Sequence, residues 1–161
     1  MTTNSNSLPS KLNLTQTDVL AIHCGDYRFQ SAFHDFLTRR LNLATYDLMV
    51  IPGGPLSLRL GERFPQYRWA TAKWTHFFVE LHKLRRVILI QHQDCGFYKS
   101  MPADLFSSTD LRISQEHDLR RIREALAAEL PHLAVDLYYA SWDASDNVIF
   151  DPVPPIPPAP R

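Results

Sequence analysis

The sequence of this chain predicts an α/β domain with a mostly parallel central sheet of four to five strands flanked by helices. Short apolar runs of β-prone residues alternate with longer segments whose apolar residues recur at helical spacing. The chain has 161 residues, of which 45% are hydrophobic, enough for one domain with a buried core. We expect that domain over 17–150, between a flexible N-terminal segment, 1–16, and a proline-rich C-terminal tail, 151–161.

The first half of the chain contains two predicted strand–turn–helix units. Residues 18–24 form a largely apolar run typical of a buried strand, and apolar residues at helical spacing begin at Phe29. A second strand is predicted over 46–51, and the Pro-Gly-Gly-Pro sequence at 52–55 ends it. An amphipathic helix follows, and its apolar side is marked by Ala70, Trp74, Phe77, Phe78 and Leu81.

The second half begins with a third predicted strand, which covers 86–91 and ends at His92. An irregular stretch follows from 96 to 113. A long helix comes next, with Ser114 as its candidate N-cap and Pro131 closing it. One helical stripe of this segment is apolar and consists of Leu119, Ile122, Leu126 and Leu130.

A hairpin and a tail end the chain. Strands are predicted over 135–142 and 147–150, around a turn at 143–146. Six of the twelve prolines lie in the tail, 151–161, which should therefore be extended or polyproline II. Its PxxP spacings could dock on a partner, but we favour a solvated or surface-draped tail.

Composition excludes several classes of partner. Lys and Arg total 17, as do Asp and Glu, so the formal net charge is zero and no global field attracts nucleic acid or anionic lipid. No apolar run approaches the roughly 20 residues that span a bilayer. The polar segment 1–16 lacks the apolar core of a signal peptide. We expect a cytoplasmic protein with no nucleic-acid or membrane partner.

Two short segments combine residue types suited to binding a metal ion. Residues 24–28 are Cys-Gly-Asp-Tyr-Arg after the first predicted strand, and residues 92–96 are His-Gln-Asp-Cys-Gly after the third. Two thiols and one imidazole favour Zn²⁺, and three protein ligands leave one coordination position for water or substrate. The sequence therefore predicts a catalytic zinc site at the carboxyl ends of the strands. The alternatives are a disulfide between Cys24 and Cys95, or two buried free thiols beside a core histidine.

The same two segments carry a family resemblance. The β-class carbonic anhydrases have a C-x-D-x-R motif after the first strand and an H-x-x-C-G motif after the third, and both are present in full at 24–28 and 92–96. The glycine pair at 53–54, the order of strands and helices, and the final hairpin extend the similarity. The chain therefore resembles this family over 19–150, which implies a β-carbonic anhydrase-like fold.

The resemblance implies roles for five residues. Cys24, His92 and Cys95 would hold Zn²⁺, with Asp26 and Arg28 as a catalytic dyad beside it. The implied reaction is the reversible hydration of carbon dioxide to bicarbonate by zinc-bound hydroxide. Asp26 can orient the hydroxide by accepting its hydrogen bond, while Arg28 holds the carboxylate. Two thiolates neutralise the charge of zinc, so we expect activity to rise toward alkaline pH.

Further expectations concern the surroundings of the site. Gly53 and Gly54 are predicted to let the backbone approach the substrate, although Gly-Gly between two prolines is also a good turn. Asp94 should order its loop, because a fourth protein ligand would close the metal site. His23 should point to the opposite strand face and pack there. The family implies a homodimer or higher homo-oligomer with the site near the subunit interface.

The chain also departs from the family pattern. Gly25 and Tyr27 flank the first aspartate, Gln91 replaces the glycine before the metal histidine, and 50–53 is Val-Ile-Pro-Gly where the family has Arg-Asn-Ala-Gly. Two alternative functions follow. The same site could hydrolyse a carbon dioxide analogue such as carbonyl sulfide or carbon disulfide, which the apolar residues at 50–52 would suit. The chain could otherwise be a non-catalytic zinc-binding scaffold.

Overall fold

The structure, a computed structural model, describes residues 12–61 and 63–155. One sheet contains five strands, β1 (Val19–His23), β2 (Asp47–Val50), β3 (Arg86–His92), β4 (Ala134–Trp142) and β5 (Val148–Pro152). Their order across the sheet is β2-β1-β3-β4-β5, in which β5 alone is antiparallel to its neighbour. The prediction of a mostly parallel sheet flanked by helices is confirmed.

The described residues form four α-helices on the two faces of the sheet. These helices are α1 (Gln30–Asp35), α2 (Pro65–His82), α3 (Gly96–Ser100) and α4 (Leu111–Glu129). A π-helical turn, Phe36–Arg40, continues α1, and short 3₁₀ turns cover Tyr27–Phe29, Gly54–Leu58 and Ala103–Leu105. No helix among them is long and apolar enough to cross a membrane.

The central strand β3 shows how the core is divided. Val87 and Leu89 pack on one face of the sheet with residues of α2 and α4, while Ile88 and Ile90 pack on the other face with residues of α1. Successive strand residues point to opposite faces, so a parallel strand covered on both sides is apolar along its length. This explains why β1 and β3 are continuous apolar runs in the sequence.

Helix α4 begins earlier than predicted. Its N-cap is Asp110, whose Oδ1 accepts hydrogen bonds from the backbone N–H groups of Arg112 at 2.8 Å and Ile113 at 3.3 Å. The prediction of Ser114 as the N-cap is wrong, because Ser114 is buried in the first turns and its hydroxyl donates to the Ser108 carbonyl at 2.9 Å. The segment predicted as irregular also contains α3. The apolar stripe of α4 is buried at Leu119, Ile122 and Leu126, as predicted.

Helix α2 turns its most apolar side away from the core. Trp74 and Phe77 are 50% and 56% exposed, whereas the buried positions are Thr71, Thr75 and Val79. Thr75 donates its hydroxyl hydrogen to the Thr71 carbonyl at 2.9 Å, so burial leaves that polar group satisfied. The amphipathic helix is therefore present, but its apolar stripe does not mark the buried face.

The C-terminal hairpin reaches further than predicted. Strand β5 ends at Pro152, inside the predicted tail, and the next residue, Val153, is buried and donates its N–H to the Leu137 carbonyl at 2.9 Å. Of the segment predicted to be flexible, 1–16, residues 1–11 lie outside the described residues. Of the tail predicted to be extended, 151–161, residues 156–161 lie outside them.

Candidate metal centre

The two sequence motifs meet at one edge of the sheet. Strands β1 and β3 are parallel neighbours, so Cys24, which follows β1, lies beside His92, the last residue of β3. Cys95 follows three residues later at the start of α3. The ligand atoms of these three residues all lie within 4.8 Å of one another, and all three residues are buried. This is the one group of potential metal ligands found in the part of the chain that the structure describes.

The state of the two cysteines fits a metal ligand set. Both thiols are free, and their sulfur atoms lie 4.0 Å apart, so the alternative of a disulfide between Cys24 and Cys95 is wrong for this structure. The contact with the Cys95 thiol is the main cause that lowers the pKa of Cys24, and the nearby His92 side chain and the backbone N–H groups of Gly53 and Asp26 add to it. The same contact and burial raise the pKa of Cys95. Binding of a metal ion as thiolates would require both sulfur atoms to be free of protons.

The orientation of His92 also fits a metal ion. Its Nδ1 lies 2.8 Å from the Gln93 carbonyl, which can only accept, so Nδ1 carries the hydrogen and Nε2 keeps its lone pair. Nε2 is buried, and no partner for it exists among the described residues. Phe29 packs on the ring with centroids 4.5 Å apart and holds its orientation. An unpartnered imidazole lone pair beside two thiols is the donor arrangement that suits Zn²⁺.

Asp26 and Arg28 form the predicted pair beside this group. Asp26 caps the 3₁₀ turn Tyr27–Phe29, and its Oδ1 accepts from the Arg28 backbone N–H at 3.1 Å. The Arg28 guanidinium donates two more hydrogen bonds to Asp26, from Nε to Oδ1 at 3.0 Å and from Nη2 to Oδ2 at 2.7 Å. These bonds hold the pKa of Asp26 below its ordinary value. Asp26 does not belong to the three-ligand group, because its carboxylate is bound to Arg28.

A second carboxylate fixes the other side of Arg28. Nη1 donates to Asp94 Oδ2 at 2.9 Å, and Nη2 donates to the Asp94 carbonyl at 3.1 Å. Lys99 also pairs with this carboxylate. The guanidinium carbon lies 5.7 Å from the centre of the Trp142 ring, in cation–π range. Asp94 therefore orders the loop and the arginine, and it is not one of the clustered ligands.

Trp142 is a residue of this site that sequence reasoning missed. It lies at the carboxyl end of β4, and β4 is the parallel neighbour of β3. The signal that could have found it is the strand order, because all parallel carboxyl ends reach the same edge of a sheet.

The two glycines pack against the motif segments. Gly53 has φ +72°, and a side-chain carbon there would lie 2.4 Å from the Phe97 ring. Gly54 has φ +52°, and a side-chain carbon there would lie 3.0 Å from the backbone nitrogen of Cys24. Both positions therefore require glycine, because the loop is left-handed and touches its neighbours directly. His23 packs as predicted, with its ring centroid 4.3 Å from that of Phe33.

Comparison with known proteins gives a matching family and several similar proteins. Residues 14–128 match the model of a family described as "Putative carbonic anhydrase". An uncharacterized protein of Rickettsia bellii (strain RML369-C) is 25% identical over 141 residues, covering 86% of this chain and 85% of the relative. An uncharacterized protein of Rickettsia conorii (strain ATCC VR-613 / Malish 7) is 23% identical over 141 residues, covering 86% and 75%.

Two solved structures are also similar. The carbonic anhydrase from Glaciozyma antarctica is 19% identical with a TM-score of 0.48, over 88% of this chain and 94% of that one. A tetrameric β-carbonic anhydrase of Sordaria macrospora is 15% identical with a TM-score of 0.40, over 83% of this chain and 79% of that one.

Proposed function

The chain belongs to this carbonic anhydrase family, and from that premise we propose that it catalyses the reversible hydration of carbon dioxide to bicarbonate. One observation carries the proposal: the buried Cys24, His92 and Cys95 converge beside the Asp26–Arg28 pair. The site thus combines a donor set for a metal ion with a carboxylate that is kept ionised.

Cys24, His92 and Cys95 would hold the metal ion, and their chemistry favours zinc. His92 offers Nε2, because Nδ1 already donates to the Gln93 carbonyl. Zinc held there supplies Lewis acidity, which lowers the pKa of a water molecule. The thiols of Cys24 and Cys95 would bind as thiolates, so metal binding would be accompanied by proton release.

Asp26 acts on the reacting water. Its Oδ1 already accepts two hydrogen bonds from Arg28, whereas Oδ2 accepts one short bond from Nη2 at 2.7 Å and a long one from Nε at 3.3 Å, so Oδ2 is the atom that would accept a hydrogen bond from that water. By accepting that bond, Asp26 turns an oxygen lone pair of the water toward the carbon atom of carbon dioxide. Arg28 keeps Asp26 ionised and fixes its direction, so it acts as the positioning partner of the carboxylate.

Gly53 and Gly54 are proposed to shape the substrate side of the site. The Gly54 N–H donates to the Ile51 carbonyl at 2.8 Å, and the Gly53 N–H favours the thiolate of Cys24. Both N–H groups are thus engaged within the protein. The contribution of the pair to substrate binding is therefore one of position: without side chains this loop packs directly on Phe97 and the Cys24 backbone, which brings its own backbone up to the site.

A change of substrate on the same site is the second candidate. Val50 lies 3.5 Å from the position that a side-chain carbon at Gly25 would occupy, so an apolar side chain borders the first motif. Such a border suits a less polar carbon dioxide analogue, carbonyl sulfide or carbon disulfide. A rate with carbonyl sulfide well above the rate with carbon dioxide would favour this candidate.

We also propose that the chain forms a homodimer or a higher homo-oligomer. The support is an exposed apolar surface on α2, which includes Trp69, Trp74, Phe77 and Leu81. Strand β2 is an edge strand of the sheet and exposes Leu48 and Val50. Unpaired edge strands and apolar patches of this kind are typical of interfaces.

The test combines zinc content with stopped-flow hydration of carbon dioxide. We expect one zinc per chain and activity that falls about 10- to 100-fold in Asp26→Asn, which keeps the shape but loses the charge. Asp35→Asn is the matched control, because Asp35 is exposed and its ion pair among the described residues is with Arg39. Zinc without hydration would move the proposal to another substrate or to the zinc-binding scaffold. Absence of zinc would overturn the metal centre.

A further inference from the structure

A chain of buried polar side chains lies behind the metal centre. Gln91 is fully buried, and its Nε2 donates to the Gly53 carbonyl at 3.1 Å and to the Tyr98 hydroxyl at 3.1 Å. The Tyr98 hydroxyl donates to Asp118 Oδ2 at 3.2 Å, and Arg59 Nε lies 2.7 Å from Asp118 Oδ1. We call Gln91, Tyr98 and Asp118 the buried polar chain. It connects β3, α3 and α4 with the loop that follows β2.

This buried polar chain is costly for a protein core. Asp118 is 1% exposed, and burial raises its pKa against the opposing effect of Arg59. Gln91 Oε1 has no hydrogen-bond partner among the described residues. Apolar side chains of similar volume would avoid both costs. A buried polar arrangement that does not maximise stability needs another explanation.

The buried polar chain holds the two segments that pack against Cys24 and Cys95. The Gly53–Gly54 loop touches Cys24, since a side-chain carbon at Gly54 would lie 3.0 Å from the Cys24 backbone nitrogen, and Gln91 binds the Gly53 carbonyl. Cys95 is the N-cap of α3, whose Tyr98 lies in one buried cluster with both cysteines, and Gln91 binds the Tyr98 hydroxyl. Gln91 thus holds both segments, and it directly precedes the candidate ligand His92.

We propose that Gln91 and Tyr98, anchored by Asp118, are positioning residues that hold the Cys24 and Cys95 sulfur atoms at the separation a metal ion requires. The inference rests on the proposed metal centre and adds the residues that preorganise it. Without the Tyr98 hydroxyl, α3 loses its hydrogen bonds to Gln91 and Asp118, and with them its link to the Gly53 loop. The distance between the Cys24 and Cys95 sulfur atoms then varies more in the metal-free protein. Bringing the two atoms to the separation that a metal ion requires therefore costs more free energy, and the metal binds more weakly.

The experiment compares zinc affinity in Tyr98→Phe and Tyr139→Phe. Both tyrosines are buried and lose only a hydroxyl, but Tyr139 takes no part in the buried polar chain. Competition with a chromophoric chelator measures the zinc dissociation constant of the folded protein, and Co²⁺ absorption reports the thiolate geometry. We expect zinc binding about 10- to 100-fold weaker and an altered Co²⁺ spectrum in Tyr98→Phe, with Tyr139→Phe close to wild type.

A double variant separates positioning from stability. Gln91→Leu with Tyr98→Phe removes both partners of their mutual hydrogen bond, so no Gln91 amide is left facing an apolar ring, and the Gly53 carbonyl loses its Gln91 donor as well. We expect its zinc affinity to stay low. Wild-type zinc affinity in Tyr98→Phe and in the double variant would overturn the inference. If wild type binds zinc tightly without hydration, only the proposed reaction fails. If wild type binds no zinc, the metal centre and this inference both fail.

Discussion

Replacing Arg28 with lysine tests the geometry of the Asp26–Arg28 pair separately from its charge. The Arg28 guanidinium makes five hydrogen bonds, three to the Asp26 carboxylate and two to Asp94. A lysine ammonium is a compact charge and cannot form two parallel bonds to one carboxylate while also binding a second residue. Arg28→Lys therefore keeps the charge and loses most of these bonds.

The expected effect can be worked from those contacts. Hydrogen bonds to charged groups contribute about 1.5–3 kcal/mol each, and partial exposure of Arg28 reduces that contribution. Loss of the two-pronged contact should cost about 1.5–2.5 kcal/mol in orienting Asp26, which is roughly a 10- to 70-fold fall in kcat/KM. The pKa of Asp26 should rise toward its ordinary value, because Arg28 is the main cause of its lowering.

Stopped-flow hydration and a carboxyl titration by NMR measure the two effects. Arg39→Lys is the matched control, since Arg39 is highly exposed and, in the part of the chain that the structure describes, pairs with Asp35 alone. Hydration within twofold of wild type in Arg28→Lys, together with a large loss in Asp26→Asn, would refute the reasoning. That result would mean that any positive charge near Asp26 suffices.

Four further predictions concern the metal, the loop, the surface and pH. Removing zinc by chelation should lower the melting temperature, and zinc at about 100 times its Kd should restore about 2.7 kcal/mol, measured by calorimetry. Gly54→Ala should destabilise the protein by about 1–3 kcal/mol in chemical denaturation, because φ is +52° and the added carbon meets the Cys24 backbone; an unchanged midpoint would contradict this. Trp74→Glu should shift the sedimentation coefficient toward that of the monomer, whereas the exposed control Asp35→Asn should not. The pKa of Asp26 is lower in the folded protein than in the unfolded chain, so its ionised form stabilises the fold at pH values above the unfolded pKa. This stabilisation is lost as pH falls through the lowered folded pKa, and Asp26→Asn lacks it throughout, so acid unfolding should begin at higher pH in the variant.

The sequence predicts the sheet and the metal centre for a physical reason. A parallel strand buried on both faces is a continuous apolar run, and the residue after it falls at the carboxyl edge of the sheet. Two such runs placed Cys24 and His92 at one edge, and the structure brings their ligand atoms together with that of Cys95. Their role as metal ligands stays a prediction.

Other features depend on tertiary contacts that no local pattern encodes. The apolar stripe of α2 indicates a helix, but an apolar side can face either the core or another molecule, and here Trp74 is exposed. Asp110 and Ser114 are both good N-cap residues one turn apart, so composition alone does not select between them. Gln91 and Asp118 are distant in the sequence, and Tyr98 joins them only after β3, α3 and α4 have packed.

The charges around the metal centre explain why these separate features belong together. As thiolates, Cys24 and Cys95 would contribute two negative charges to the proposed metal centre, and a divalent cation would balance them. Outside this group, the carboxylates of Asp26 and Asp94 are matched by Arg28 and Lys99. The charges of these side chains therefore balance one another without a metal ion. While Arg28 holds Asp26, its carboxylate already has a positively charged partner and does not require the metal ion as one. In the proposed metal centre this arrangement would keep one coordination position open, and the contact of Arg28 with Asp94 would stabilise that state.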